Sequence, residues 1–168
     1  KVTFFGADRY HPVVATHVAQ GRRTVYVDNG DLVAVEGKFM ERIALADVPI
    51  TRNGLCGFLV ETAWAAGAAA WGAGIDWQAI RLGLKTFTTD SHNAPGRFNV
   101  FDYRGATVIA DYGHNPDAML ALVQAVEAMP ALRRSVVISG AGDRRDEDIR
   151  QQTEILGKAF DHVLLYQD

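Results

Sequence analysis

Apolar and polar positions along the chain fall into two stretches with different rhythms. In the first, Lys1–Gly6 (KVTFFG) is a strand-like apolar run, and Arg23–Val27 (RTVYV) and Leu32–Val35 (LVAV) flank the turn Asp28-Asn29-Gly30-Asp31. Asn-Gly suits a two-residue hairpin turn, whose central positions both need positive φ, so these runs predict paired strands. Ile43–Ile50 continues as a short extended segment to Pro49. Two helices are predicted next, roughly Phe58–Gly72 and Asp76–Thr86, the second with Asp76 as its N-cap. Thr88–Gly96 (TTDSHNAPG) is polar, carries Pro and Gly, and reads as a linker.

Beyond the linker the pattern alternates. Phe98–Tyr103 and Ala106–Tyr112 predict strands joined at Arg104-Gly105, followed by a helix from Asn115 to about Met129. Ser135–Ser139 (SVVIS) predicts a buried strand, Asp146–Phe160 a helix and His162–Tyr166 (HVLLY) another strand. Strand, helix, strand, helix, strand at this spacing predicts consecutive right-handed crossovers and a parallel sheet. The expected fold class is α/β. A Rossmann-like parallel sheet over 95–168 would follow an incomplete α/β segment over 1–94 that holds a β-hairpin and two helices. A strand that starts with no preamble, and a chain that stops on the heels of its last strand, suggest a piece of a longer protein with 95–168 itself truncated.

Phe58–Ile75 (FLVETAWAAGAAAWGAGI) has Glu61 as its only charge and sits at the lower length limit for spanning a bilayer. Gly67, Gly72 and Gly74 and its small side chains fit a closely packed core helix better, so no membrane is expected as partner. With 48% hydrophobic and 22% charged residues the chain is ordinary globular material. A net charge of -3 gives no electrostatic reason to expect nucleic acid. The single cysteine, Cys56, allows no internal disulfide and reads as a packing residue. With no basic n-region and cleavage site, a reducing, cytoplasmic setting is the expectation. His11, His17, His92, His114 and His162 show no metal-ligand spacing, so no protein-bound metal site is expected.

Ligands of open parallel sheets sit beyond the carboxyl ends of the strands, and polar residues collect there. The stretch Val108–Leu120 (VIADYGHNPDAML) ends a strand and starts a helix. Asn115 as N-cap, Pro116 at the first helical position and Asp117 in the first turn are explained by folding alone. Asp111, Tyr112 and His114 are not. A carboxylate at a strand end suits the hydroxyl pair of a ribose. The next strand delivers Gly140-Ala141-Gly142-Asp143-Arg144-Arg145, where a glycine turn lets backbone N–H groups approach an anion and an arginine can fork onto it. The last delivers Gln167 and Asp168. GAGDRR is not the dinucleotide fingerprint, because Arg145 stands where a third glycine belongs, and no GxxxxGK[ST] occurs. Asp146, Glu147 and Asp148 are equally explained as an acidic first helical turn. Arg97, in Pro95-Gly96-Arg97, either seals the junction between the halves or meets a ligand there.

Three features together, Pro-Gly-Arg at a domain junction, Asp-Tyr-x-His-Asn-Pro after a strand and Gly-Asp-Arg-Arg-Asp-Glu-Asp before a helix, resemble the Mur ligase family. The third, with TEILGKAFDHVLLYQD, is similar to the branch that adds arginine to the aspartate side chains of a poly-aspartate backbone. The resemblance is strong over 95–168 and moderate over 1–94. It implies an ATP-dependent amide ligase in which a carboxylate, activated as an acyl phosphate, is attacked by an amine. On that basis 1–94 is the end of the central ATPase domain and 95–168 the C-terminal domain. Arg97 would contact ATP phosphates and Asp111 the ribose, with Tyr112, His114 and Asn115 lining the nucleotide. Gly142, Asp143, Arg144 and Arg145 would lie near the incoming substrate.

The phosphate loop and Mg²⁺ ligands are expected outside this segment, so no catalytic residue is assigned within it and the segment alone should be inactive. The resemblance also implies arginine and the poly-aspartate chain as partners and a homo-oligomer for the longer enzyme. Relatives carry Phe-Asn-x-x-Asn, whose second Asn reads adenine. Here Phe58-Leu59-Val60-Glu61-Thr62 has Leu59 and Thr62 at the asparagine positions, and Thr62 offers one hydroxyl in place of an amide. Peptidoglycan-precursor and folate-glutamate ligases share the His-Asn-Pro segment. A degenerate Mur-like module with a purely structural role is the reading from another class.

Overall fold

The computed structural model describes residues 2–139 and 145–166. The chain divides into two compact units, Lys1–Pro95 and Gly96–Asp168.

The first unit is built on a four-stranded sheet in the order β1 (Phe4–Gly6), β2 (Thr24–Asp28), β3 (Asp31–Glu36), β4 (Phe39–Ala44). β1 runs parallel to β2, and helix α1 (Pro12–Ala19) makes the crossover between them. β2, β3 and β4 form an antiparallel meander. The first hairpin turns at Asn29 and Gly30, with φ of 51° and 80°, and this is the conformation that the Asn-Gly pair takes at little cost. Val25, Leu32, Val33 and Ala34 are fully buried, so β2 and β3 are covered on both faces.

Two elements differ from the sequence expectation. α1 is a helix in a stretch that shows no apolar stripe, because only Val14 and His17 of it are buried. The segment Ile43–Ile50 is not extended. β4 ends at Ala44, and Leu45–Asp47 and Pro49–Thr51 are single 3₁₀ turns. The Thr51 hydroxyl closes them by donating to the carbonyls of Leu45 at 2.8 Å and Val48 at 2.9 Å. β4 escapes period-2 reading because it is an edge strand with exposed Phe39 and Met40. Arg42 bonds to Asp28 and Asp31, and Glu41 accepts from Arg81.

Helix α2 (Gly57–Gly72) buries Leu59, Val60, Ala63, Trp64, Gly67, Ala68 and Trp71. No helix among the described residues is long and apolar enough to cross a membrane. α3 (Trp77–Thr86) starts at Asp76, whose side chain accepts from the N–H groups of Gln78 and Ala79. Trp71 and Trp77 meet edge to face at 5.5 Å between ring centroids, which joins the two helices. The Arg23 guanidinium lies over Trp71 and donates to its carbonyl at 2.7 Å, which ties α2 to the sheet.

The polar stretch before the second unit is internally bonded. One Asp90 oxygen accepts from the N–H groups of His92 and Asn93, and the other from the Thr88 hydroxyl and the Asn93 amide. The Asn93 and His92 amides, with Thr88, hold the Asp90 carboxyl below the usual carboxylate range. A depressed acid contributes order above its unfolded pKa and loses it as pH falls through the lower folded value. The turn 88–94 is therefore expected to stay intact at neutral pH and to loosen only in acid below that range. NMR chemical shifts of the His92 and Asn93 amides, followed on acidification, check this.

The second unit opens with the antiparallel hairpin of β5 (Asn99–Tyr103) and β6 (Ala106–Ala110). Helix α4 (Pro116–Glu127), strand β7 (Ser135–Ser139), helix α5 (Asp146–Ala159) and strand β8 (His162–Tyr166) follow, and β7 pairs parallel with β8. Among the described residues β6 pairs with β5 alone and not with β7, so the three strands do not form one run of neighbours. Alternation in sequence sets direction and handedness of crossovers but leaves strand adjacency open. Met119, Val123 and Leu156 form the core between α4 and α5, with Val136, Ile138 and Val163 of the parallel pair against it.

Candidate functional site

The site is made by the turn 96–99 and the segment 111–115, which leads from β6 into α4. Asp111 joins them. One carboxylate oxygen accepts from the Phe98 N–H at 2.9 Å and the other from the Gly113 N–H at 2.7 Å. The Tyr112 N–H donates to the Gly96 carbonyl at 2.8 Å, and the Gly96 N–H donates to the buried Asn99 side chain at 2.7 Å. This bracket holds Phe98 at φ 49° although its side chain is fully buried, a conformation that persists only where the surroundings dictate it.

The bracket presents Arg97 and His114. The Arg97 guanidinium sits 5.7 Å from the centre of the Tyr112 ring and has no carboxylate partner among the described residues. The His114 ring meets Tyr112 edge on at 5.1 Å, and its Nδ1 lies 2.8 Å from the Tyr112 carbonyl. A carbonyl only accepts, so Nδ1 carries the proton and Nε2 is left with no bond to the described protein. Gly113 sits in a tight place, where a side chain would have to displace the flexible end of Met119 and crowd Asp111. A Cβ there would lie 2.6 Å from Met119 Cε and 3.0 Å from the Asp111 oxygen that the Gly113 amide meets.

Asn115 is the N-cap of α4 and accepts from the Ala118 N–H at 2.8 Å, with Pro116 and Asp117 in the first turn. Its side chain is therefore already used in folding. Gly142, Asp143 and Arg144 lie outside the described residues, as do Gln167 and Asp168. Arg145 precedes α5 and forks onto Asp148, at 2.8 and 3.0 Å, instead of standing open for a ligand. The Asp148 carboxylate pushes the Arg145 pKa up and keeps it charged. In the first unit Leu59 is buried, and the Thr62 hydroxyl is bonded back to the Phe58 carbonyl at 2.9 Å.

Gln152 is the residue the sequence pattern did not single out. It is buried on α5, and its amide donates to the His114 carbonyl at 3.3 Å. The available signal was an amide placed among the apolar positions Ile149, Leu156 and Ala159 of that helix.

Residues 96–168 match the family described as Mur ligase, glutamate ligase domain. Over those residues the chain belongs to the Mur ligase family. Over its whole length it is 34% identical to the cyanophycin synthetase of Geminocystis herdmanii, and it spans 19% of that protein. It is also 34% identical, over 66% of the chain and 22% of the relative, to the UDP-N-acetylmuramoyl-L-alanyl-D-glutamate--2,6-diaminopimelate ligase of Bradyrhizobium diazoefficiens. Among solved structures, MurF from Acinetobacter baumannii superposes with a TM-score of 0.58 at 17% identity, covering 97% of this chain and 38% of that one.

Proposed function

We propose that this chain is part of an ATP-dependent amide ligase of the cyanophycin synthetase type, which adds arginine to the aspartate side chains of a poly-aspartate backbone. The likeness to cyanophycin synthetase over the whole chain carries the reading, where the diaminopimelate-adding relative matches only 66% of it. Residues 1–94 are assigned to the end of the central ATPase domain and 95–168 to the C-terminal domain.

The residues present fit a nucleotide polyanion. Arg97 supplies an unpaired, bidentate cation, and its stacking on Tyr112 limits its freedom, so less entropy is lost when phosphate is gripped. His114 offers Nε2, and Asp111 keeps lone pairs for ribose hydroxyls while two amides fix its pose. ATP, when bound, supplies the phosphoryl group that activates a carboxylate toward amide formation. The described residues hold no group of three metal-ligating side chains, and Mg²⁺ is assigned to phosphates and to residues beyond this segment. Arg145 would meet the incoming arginine or polymer only by exchanging Asp148 for it.

The test separates capping from chemistry. Asn115→Ala removes an N-cap and is expected to lower stability by about 0.5–2 kcal/mol. His114→Ala removes one neutral hydrogen bond and is expected to cost about 1 kcal/mol or less. In the full-length enzyme His114→Ala is expected to raise KM for ATP in arginine addition while aspartate addition continues unchanged. If arginine addition keeps its parental KM for ATP and its rate, the nucleotide assignment of this loop is wrong.

A further inference from the structure

The inference concerns Gln152 and rests on the nucleotide assignment of the loop 111–115. Gln152 occupies a core position of α5, in line with Ile149, Leu156 and Ala159, and is only 6% exposed. The solvent side of the helix pairs its polar groups among themselves, with Glu147 bonded to Arg150 and Gln151, and Arg150 to Glu154. Gln152 takes no part in that network. A buried amide is costly unless it is hydrogen-bonded, and the partner it finds is 38 residues away, the carbonyl of His114. An apolar residue would fill the same place at no such cost.

We propose that Gln152 is a positioning residue for the nucleotide loop. Its bond fixes the peptide plane between His114 and the N-cap Asn115. With Nδ1 of His114 already tied to the Tyr112 carbonyl, that plane sets where Nε2 stands. The same bond fastens the loop to α5, the helix that Arg145 precedes. Groups assigned to ATP and a group assigned to the incoming substrate are thereby held in one register. Asp111 braces the loop from the side of Arg97, and Gln152 braces it from the side of α5.

The test uses the full-length enzyme, with KM for ATP and kcat measured in arginine addition. Gln152→Leu keeps the bulk and the apolar contacts of α5 but removes the donor. Gln152→Glu keeps the shape and sets an acceptor against the carbonyl. Both are expected to raise KM for ATP about three- to tenfold, the range a single hydrogen bond supplies, with kcat changed less than about twofold. In a His114→Ala background, Gln152→Leu is expected to add less than about twofold, because it acts through that residue. Should Gln152→Leu not fold, Gln152→Met carries the same comparison. An unchanged KM for ATP beside a raised one for His114→Ala overturns the proposal and leaves the nucleotide assignment standing. An equal increase with and without the His114 ring also overturns it. If His114→Ala and Gln152→Leu both leave KM unchanged, the assignment itself fails and the proposal falls with it.

Discussion

Asp111→Ala is expected to destabilise the second unit by about 2–4 kcal/mol and to abolish the ordered pose of Arg97 with it. The carboxylate serves two backbone amides, Phe98 N–H and Gly113 N–H, at 2.9 and 2.7 Å. Hydrogen bonds to a charged group are worth about 1.5–3 kcal/mol each, and truncation leaves the donors to find other partners. The upper end of their sum is discounted because both bonds share one side chain and the site is half-buried. Phe98 adds to the loss. Its positive φ is maintained by the bracket, and once the amide is released the turn 96–99 relaxes toward ordinary backbone. Asp111→Asn keeps one acceptor and sets an NH₂ group against the other amide, so it should fall between parent and alanine. Denaturant melts of the three proteins measure the order. A parental melt for Asp111→Ala would show that the bracket is held by Asn99 and Gly96 without it.

That result bears on a role the sequence could only half express. The position of Asp111 at a strand end and the family resemblance both point it at a ribose. What could not be read is that two amides already occupy it, since one of them comes from Phe98, thirteen positions upstream. Local chemistry was far easier to read. Asn29-Gly30 turns where its φ preferences say, Asp76 and Asn115 cap α3 and α4, and Pro116 and Asp117 sit in the first turn. Each of those residues acts on backbone within a few positions of itself.

The features that escaped depend on distant partners. α1 buries two residues against a sheet that pattern alone does not place, and β4 is an edge strand held through Arg42 and Glu41. The β7–β8 pair is parallel as the alternation requires, yet β6 pairs elsewhere, because a crossover fixes direction and not neighbour. Arg145 is the opposite case, with its partner close by. Its fork is of the kind that grips an anion, and a carboxylate three residues along its own helix takes it. Acid-rich first turns are good for the helix dipole and also supply such partners, so an arginine beside one is a weak sign of a ligand.

Leu156→Ala is expected to carry the other large effect, a loss of about 2–5 kcal/mol confined to the second unit. Leu156 is fully buried between α4 and α5, against Met119 and Val123, with Val136, Ile138 and Val163 of the parallel strands around it. Removing its branched end forfeits transfer energy and opens a cavity that rigid strands cannot close. Met119 is a flexible neighbour able to lean into the space, which argues for the middle of that range. Leu156→Met conserves volume and should cost less than about 1.5 kcal/mol. The first unit has a separate core in Val14, Tyr26, Val33 and Val35, with no member in common. Hydrogen exchange in the intact protein should therefore quicken for amides of Pro116–Glu127 and Asp146–Ala159 and stay at parental rates across Thr24–Ala44. Equal acceleration in both places would mean that the two units unfold as one, and the division at Pro95 would then carry no energetic meaning.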